Sequence, residues 1–229
     1  KVHKNKYNIN LWLIGFPRKA LWAFSAINIL AMYLYSGGTY WDHSNPDYSF
    51  TNNFLSDLGR TTSFSGKNNF LSSQLFNFSL IIAGFIYSMF YFYAIRIFSK
   101  DKYKVIALLG SLFGILGGLS LIGVGFTPSN LYFNLHVLFA HWLFRFMFIA
   151  SLFYSYIIYK HPKIENYYSL GYIIFSLSIL IYILISEFGP PPNKNEYALF
   201  FQVVSQKLIL IIFMIAIYIQ TIGIEKIND

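Results

Sequence analysis

Two cations lie where an apolar chain can least accommodate them. Arg145 and Lys207 stand inside long apolar runs, Lys207 beside Ser205 and Gln206. A cation at the centre of a membrane span costs at least ~2.5–3.5 kcal/mol on insertion scales. No carboxylate lies inside any of those runs to offset it. Lysine can snorkel toward the interface, which leaves Arg145 the harder case. Its planar fork suits a phosphate or a carboxylate. His141 precedes Arg145 by four residues, ~40° around a helix and ~6 Å along it, so the two share a face. One reading pairs Arg145 and Lys207 with Asp57, Glu187 or backbone carbonyls for structure alone. The other is an outward-opening pocket in which Arg145, Lys207 and His141 meet an anion.

A metal is a weaker reading. His136 and His141 are five residues apart, ~140° around one helix, so a single helix does not aim both at one ion. Zinc would need ligands from elsewhere, such as Asp57, His43 or Glu187. The absence of cysteine removes thiolate sites and disulfides. The expectation is therefore no metal and no cofactor. Asp57 and Arg60, three apart in Leu55-Ser56-Asp57-Leu58-Gly59-Arg60, have a spacing suited to an ion pair on one helical turn. Asn77 follows at the start of the next apolar run. Gly110, Gly114 and Gly118 fall four apart and let a neighbouring helix approach closely, within the bundle or across a homo-oligomer seam.

The elements that must position these residues follow from composition. The 229 residues are 56% hydrophobic and 11% charged, against ~25% charged in an ordinary soluble domain. Such a chain cannot cover itself in water, which excludes disorder and a nucleic-acid-binding globule. Six runs approach the ~20 apolar residues that cross ~30 Å of hydrocarbon. They are 20–36, 71–98, 105–126, 135–159, 168–186 and 199–222. None alternates with period two, so each is read as helix. The expected fold is one all-α integral membrane domain of six transmembrane helices. Pro17 is expected to divide an interfacial stretch from the first span. Pro190, Pro191 and Pro192 stop the fifth. Twelve Lys and Arg fall on one side, against Arg60, Lys67 and Lys194 on the other. The positive-inside rule then places both termini in the cytoplasm of a multi-pass cell-membrane protein. The first span shows no signal-peptide cleavage pattern. The longest connection, 37–70, is the most polar and faces outward.

Leu55-Ser56-Asp57-Leu58-Gly59, Phe76-Asn77 and Gly84 resemble the prokaryotic membrane family catalogued as domain of unknown function 998. So do the glycine-rich Leu121–Phe126 end, Thr127-Pro128 and the His136 that follows. Phe126 is one residue more than the family's spacing has between the glycines and Thr127-Pro128. A more distant likeness, through Ser56, Asp57 and Gly59, is to the Frag/DRAM/Sfk-type membrane proteins. Those proteins are linked to phospholipid distribution and lipid-anchor remodelling, so the resemblance implies membrane lipids as partners. Together the residues and the resemblance point to binding or remodelling of an anionic lipid headgroup or similar amphiphile. The alternatives are an intramembrane hydrolase using His136, His141 and Asp57, with or without zinc, and a small-solute transporter. No inverted repeat supports the transporter.

Overall fold

The computed structural model describes residues 10–98, 103–161 and 165–228. Six long helices account for most of them: α1 (Phe16–Tyr33), α2 (Phe70–Ile97), α3 (Lys104–Phe126), α4 (Phe133–Lys160), α5 (Asn166–Phe188) and α6 (Glu196–Asn228). No strand forms among the described residues, only one isolated bridge between Thr62 and Asn68. Five helices, α2 to α6, are long and apolar enough to cross a membrane. The eighteen residues of α1 fall short because Arg18, Lys19 and Asn28 dilute them.

Pro17 does not divide two segments. A wide π turn, Leu11–Gly15, runs straight into α1. The Phe16 N–H already bonds Leu11 O five residues back, so Pro17 stands inside the helical stretch, where the wider π turn accommodates a residue with no N–H to give. Asn10 through Tyr33 is therefore continuous, and α1 begins four residues earlier than its apolar run.

Each helix packs on its neighbours in sequence, and α6 closes on α1 through the slightest of these contacts. The six thus form a ring in chain order. Hydroxyl and amide contacts stitch the seams: Asn28 donates to Ser79 (3.2 Å), Ser111 meets the Tyr154 hydroxyl (2.5 Å), and Ser176 donates to Ser151 (2.8 Å). Apolar side chains such as Trp22, Phe85 and Ile215 cover the outer wall and are more than half exposed. That is the reverse of a water-soluble protein.

The ring has two distinguishable ends. At the loop end, the long connection after α1 reaches the other two: Thr61 and Asn130 bond each other, and the Trp41 indole donates to Pro192 O (3.2 Å). At the opposite end Arg18 of α1 pairs with Glu225 of α6 (2.6 Å). Near that end and the middle, the interior is filled by rings, Tyr87, Phe90, Tyr91, Tyr154, Tyr172 and Phe175. A hollow remains among the helices, bounded by Leu55 and Ser56 at the loop end and by Pro17 and Ile217 at its far limit.

Candidate functional site

The connection after α1 folds tightly over the loop end. Gly37 and Gly38 both have φ near +85°, and a Cβ on either would strike the backbone of Asn45 and Pro46 or of Phe64 and Ser65. The bend therefore needs glycine. The chain then enters a short 3₁₀ turn, Leu55–Gly59. So short a turn leaves most of its backbone groups unpaired, and side chains from α2 and α6 supply the partners. Asn69 donates to Leu58 O (3.1 Å) and Arg60 O (2.8 Å), Ser73 and Asn77 both donate to Gly59 O (3.0 Å each), and Gln206 Oε1 accepts from Leu55 N (2.9 Å). Asn77, a candidate ligand residue from the sequence, thus anchors the turn.

Asp57 is 6% exposed. One carboxylate oxygen accepts from the Phe54 N–H (2.8 Å) and from Asn53 Nδ2 (3.3 Å), capping its own turn. The expected ion pair with Arg60 is not made. Arg60 leaves the turn in extended backbone, donates to Thr62 O (3.3 Å) and lays its guanidinium 4.0 Å over the Phe64 ring. Burial pushes the Asp57 carboxyl up to about 6, against the opposing pull of Arg60, Asn53, the Phe54 N–H and Lys207. A folded-state value above the ordinary one favours the folded state in acid. That contribution is lost as pH rises through about 6. Relative to Asp57→Asn, wild-type thermal stability in detergent should fall by on the order of 3 kcal/mol between about pH 4 and pH 7. A difference between the two proteins that stays flat across this range contradicts the assignment.

The two cations are separate and both are engaged. Lys207 is 5% exposed, and its ammonium donates to Phe50 O and to Asn53 O (2.6 Å). It lies over the Tyr48 and Phe50 rings, with Asp57 within electrostatic reach. Arg145 pairs instead with Glu187, each side chain about a third exposed at 33% and 30%. Asp57, the other carboxylate offered for this pairing, bonds its own turn instead. Glu187 lay just outside the expected fifth span; α5 runs on to Phe188 and brings it into the last turn. His141 lies beside Arg145 and is partly exposed. Arg145 and Lys207 therefore bond different partners, Glu187 and the loop carbonyls.

The three glycines of α3 also divide. A Cβ at Gly110 would meet Phe153 and Tyr154 of α4, one at Gly114 the Tyr91 ring of α2, and one at Gly118 Ser88 and the Gly84 carbonyl of α2. At ~100° per residue, three positions spaced by four drift ~80°, enough to face two neighbours. All three are buried inside the chain.

Beneath the turn lies a cavity of ≈ 170 Å³, lined by side chains from all six helices and from Leu55 and Ser56. Along α6 the lining runs from Gln206 to Ile217, ~17 Å at 1.5 Å per residue. None of its lining residues is a carboxylate, lysine or arginine, and most are aliphatic or aromatic. The polar lining at the loop end is Ser56, His136 and Gln206. His136 is 7% exposed, and its Nδ1 lies 2.7 Å from Thr127 O. Among the described residues no three His, Cys, Asp or Glu side chains come together as a metal site would require.

The family model described as Protein of unknown function (DUF998) matches residues 29–218. The chain belongs to this family. The matched stretch holds the 3₁₀ turn, both cations and nearly all of the cavity lining, whereas Arg18 and Glu225 lie outside it. Neither a curated protein nor a solved structure matches the chain.

Asn53, Asn69, Gln206 and Tyr48 hold this DUF998 site together, and sequence reasoning passed over them. Two carried a signal. Asn69 sits immediately before the apolar run of α2, where a capping residue belongs. Gln206 adjoins Lys207 inside an apolar run. Asn53 and Tyr48 lie in the polar loop, with nothing local to mark them.

Proposed function

We propose that this DUF998 protein spans the membrane six times with both termini in the cytoplasm, and holds one membrane amphiphile with its apolar chain inside the bundle. The excess of Lys and Arg at the Arg18–Glu225 end supports the orientation. Reporter fusions within 45–54 should read outside, and fusions within 161–165 should read cytoplasm; a reversed loop contradicts it.

The cavity is the observation that carries the amphiphile reading. Protein interiors are close-packed, and an apolar void of about 150 Å³ is enough to admit a benzene-sized guest. This one is of similar volume, ≈ 170 Å³, but elongated, so it takes a stretch of a single chain. Its ~17 Å run along α6 matches roughly half of a ~30 Å hydrocarbon core, the depth of a single leaflet's chains. Its polar lining is gathered under the loop, where a headgroup belongs. The distant likeness to lipid-handling membrane proteins through Ser56, Asp57 and Gly59 points the same way.

An anionic headgroup gripped by Arg145 and Lys207 loses its support, because Glu187 and the loop carbonyls already engage them. The hydrolase reading weakens similarly. The carboxylate of Asp57 is bonded to its own turn, and His136 Nδ1 to Thr127, so neither activates the other. The test is to fill the void. Ala140 lines it on α4; wild type is expected to co-purify with a bound lipid, and Ala140→Trp to fold without one. Equal lipid content in both proteins would sink the reading.

A further inference from the structure

We infer that the loop end of the cavity receives an uncharged hydroxyl group, hydrogen-bonded to His136 Nε2, so that the occupant is a neutral lipid alcohol. This rests on the amphiphile reading above and names its ligand class. The argument begins with Thr127. Its carbonyl oxygen can only accept, so His136 Nδ1, 2.7 Å away, must carry the proton. The ring is buried in an apolar wall and no carboxylate bonds it. A cation there would lose its hydration with no countercharge beside it, so the ring is neutral. A neutral ring with a proton on Nδ1 has a bare acceptor at Nε2. That nitrogen makes no hydrogen bond among the described residues.

The surroundings select against charge. No lysine or arginine lines the cavity, so a phosphate or carboxylate would lose its water without gaining a countercharge, and it would face a lone pair. An ammonium would lack a carboxylate in the same way. A hydroxyl fits both roles on offer. It donates to His136 Nε2 and can accept from Ser56, a half-buried residue of the same wall whose hydroxyl is also unbonded among the described residues. Gln206 offers less, since its carbonyl is taken by the Leu55 N–H and its side chain lies against the Tyr182 hydroxyl.

The test compares 1-octanol, its methyl ether and octyl phosphate, whose chains fit a cavity of ≈ 170 Å³, binding to the full chain by native mass spectrometry. The alcohol and the ether share a chain, but only the alcohol can donate. Wild type should bind the alcohol about tenfold more tightly than the ether, the worth of one net hydrogen bond, and the phosphate no more tightly than the ether. His136→Asn keeps an N–H for Thr127 and leaves no acceptor at the place of Nε2, because its own carbonyl oxygen sits on a shorter side chain. It should lower alcohol binding to the level of the ether and leave the ether unchanged. Equal binding of alcohol and ether to wild type, or preference for the phosphate, overturns the inference. If His136→Asn fails to fold, the wild-type ratio alone decides. Ala140→Trp separates the two claims. If it excludes all three probes while alcohol and ether bind wild type alike, only the hydroxyl assignment falls. If it excludes none, the cavity reading falls with it.

Discussion

Lys207→Met should release the loop from the end of the bundle. Methionine keeps the length of the stem but strips two hydrogen bonds from the Phe50 and Asn53 carbonyls and removes a nearby positive charge from buried Asp57. Breaking a buried charged contact by deleting one partner costs ~3–5 kcal/mol, because the remaining groups stay desolvated and unpaired. The loss should be local first. Amide exchange across 48–58 should accelerate by at least about a hundredfold, since ~3 kcal/mol of lost opening energy corresponds to roughly that factor, while α3 and α4 keep their protection. Adding Asp57→Asn should recover part of the loss by removing the stranded carboxylate. Unchanged exchange in Lys207→Met would mean that Lys207 does not hold the loop.

Gly114→Leu should damage the bundle itself. A Cβ at this position already falls within the Tyr91 ring, and Tyr91 is almost fully buried between α2, α3 and α4. Overpacking of a tight core costs ~1–3 kcal/mol and more where the neighbour cannot move. Tyr91 is hemmed in by Tyr87, Phe90 and Tyr154, so the upper part of that range or beyond is expected. Gly171→Ala is the control, because its new methyl would meet only Ile219 at an ordinary 3.5 Å. In detergent, Gly114→Leu should melt well below wild type and Gly171→Ala should melt with it. If both melt with wild type, α2 and α3 are not packed as closely as the structure has them.

The sequence made the helices legible because hydrocarbon imposes one rule on every span, a long apolar run of helix. Five of six boundaries at the helix starts lie within three residues of the apolar runs. The exception, α1, begins at Phe16, four residues before its apolar run, because Pro17, Arg18 and Lys19 interrupt the apolar pattern and not the helix. The site was less legible. Arg145, Lys207 and Asp57 were marked by their cost, since a buried charge is expensive wherever it lies. Which partner relieves that cost depends on how the loop folds back, and spacing along the chain carries no such information. Asp57 and Glu187 are equally eligible partners for Arg145 by spacing, yet Asp57 lies within reach of Lys207, and Glu187 meets Arg145 because α5 runs two residues beyond its apolar run. The cavity left no trace at all. Leucine, phenylalanine and alanine read alike whether they pack a core, face lipid or line a void, and only the ring closure of α6 on α1 separates these fates.

The amphiphile reading is tested most directly by an experimental density map of the protein purified in lipid nanodiscs without added ligand. It should show one elongated density inside the ring, its polar end at Ser56 and His136 and its tail along α6 toward Ile217, in wild type and not in Ala140→Trp. A well-resolved ring whose cavity is closed by side chains, or filled by ordered water from end to end, would contradict it.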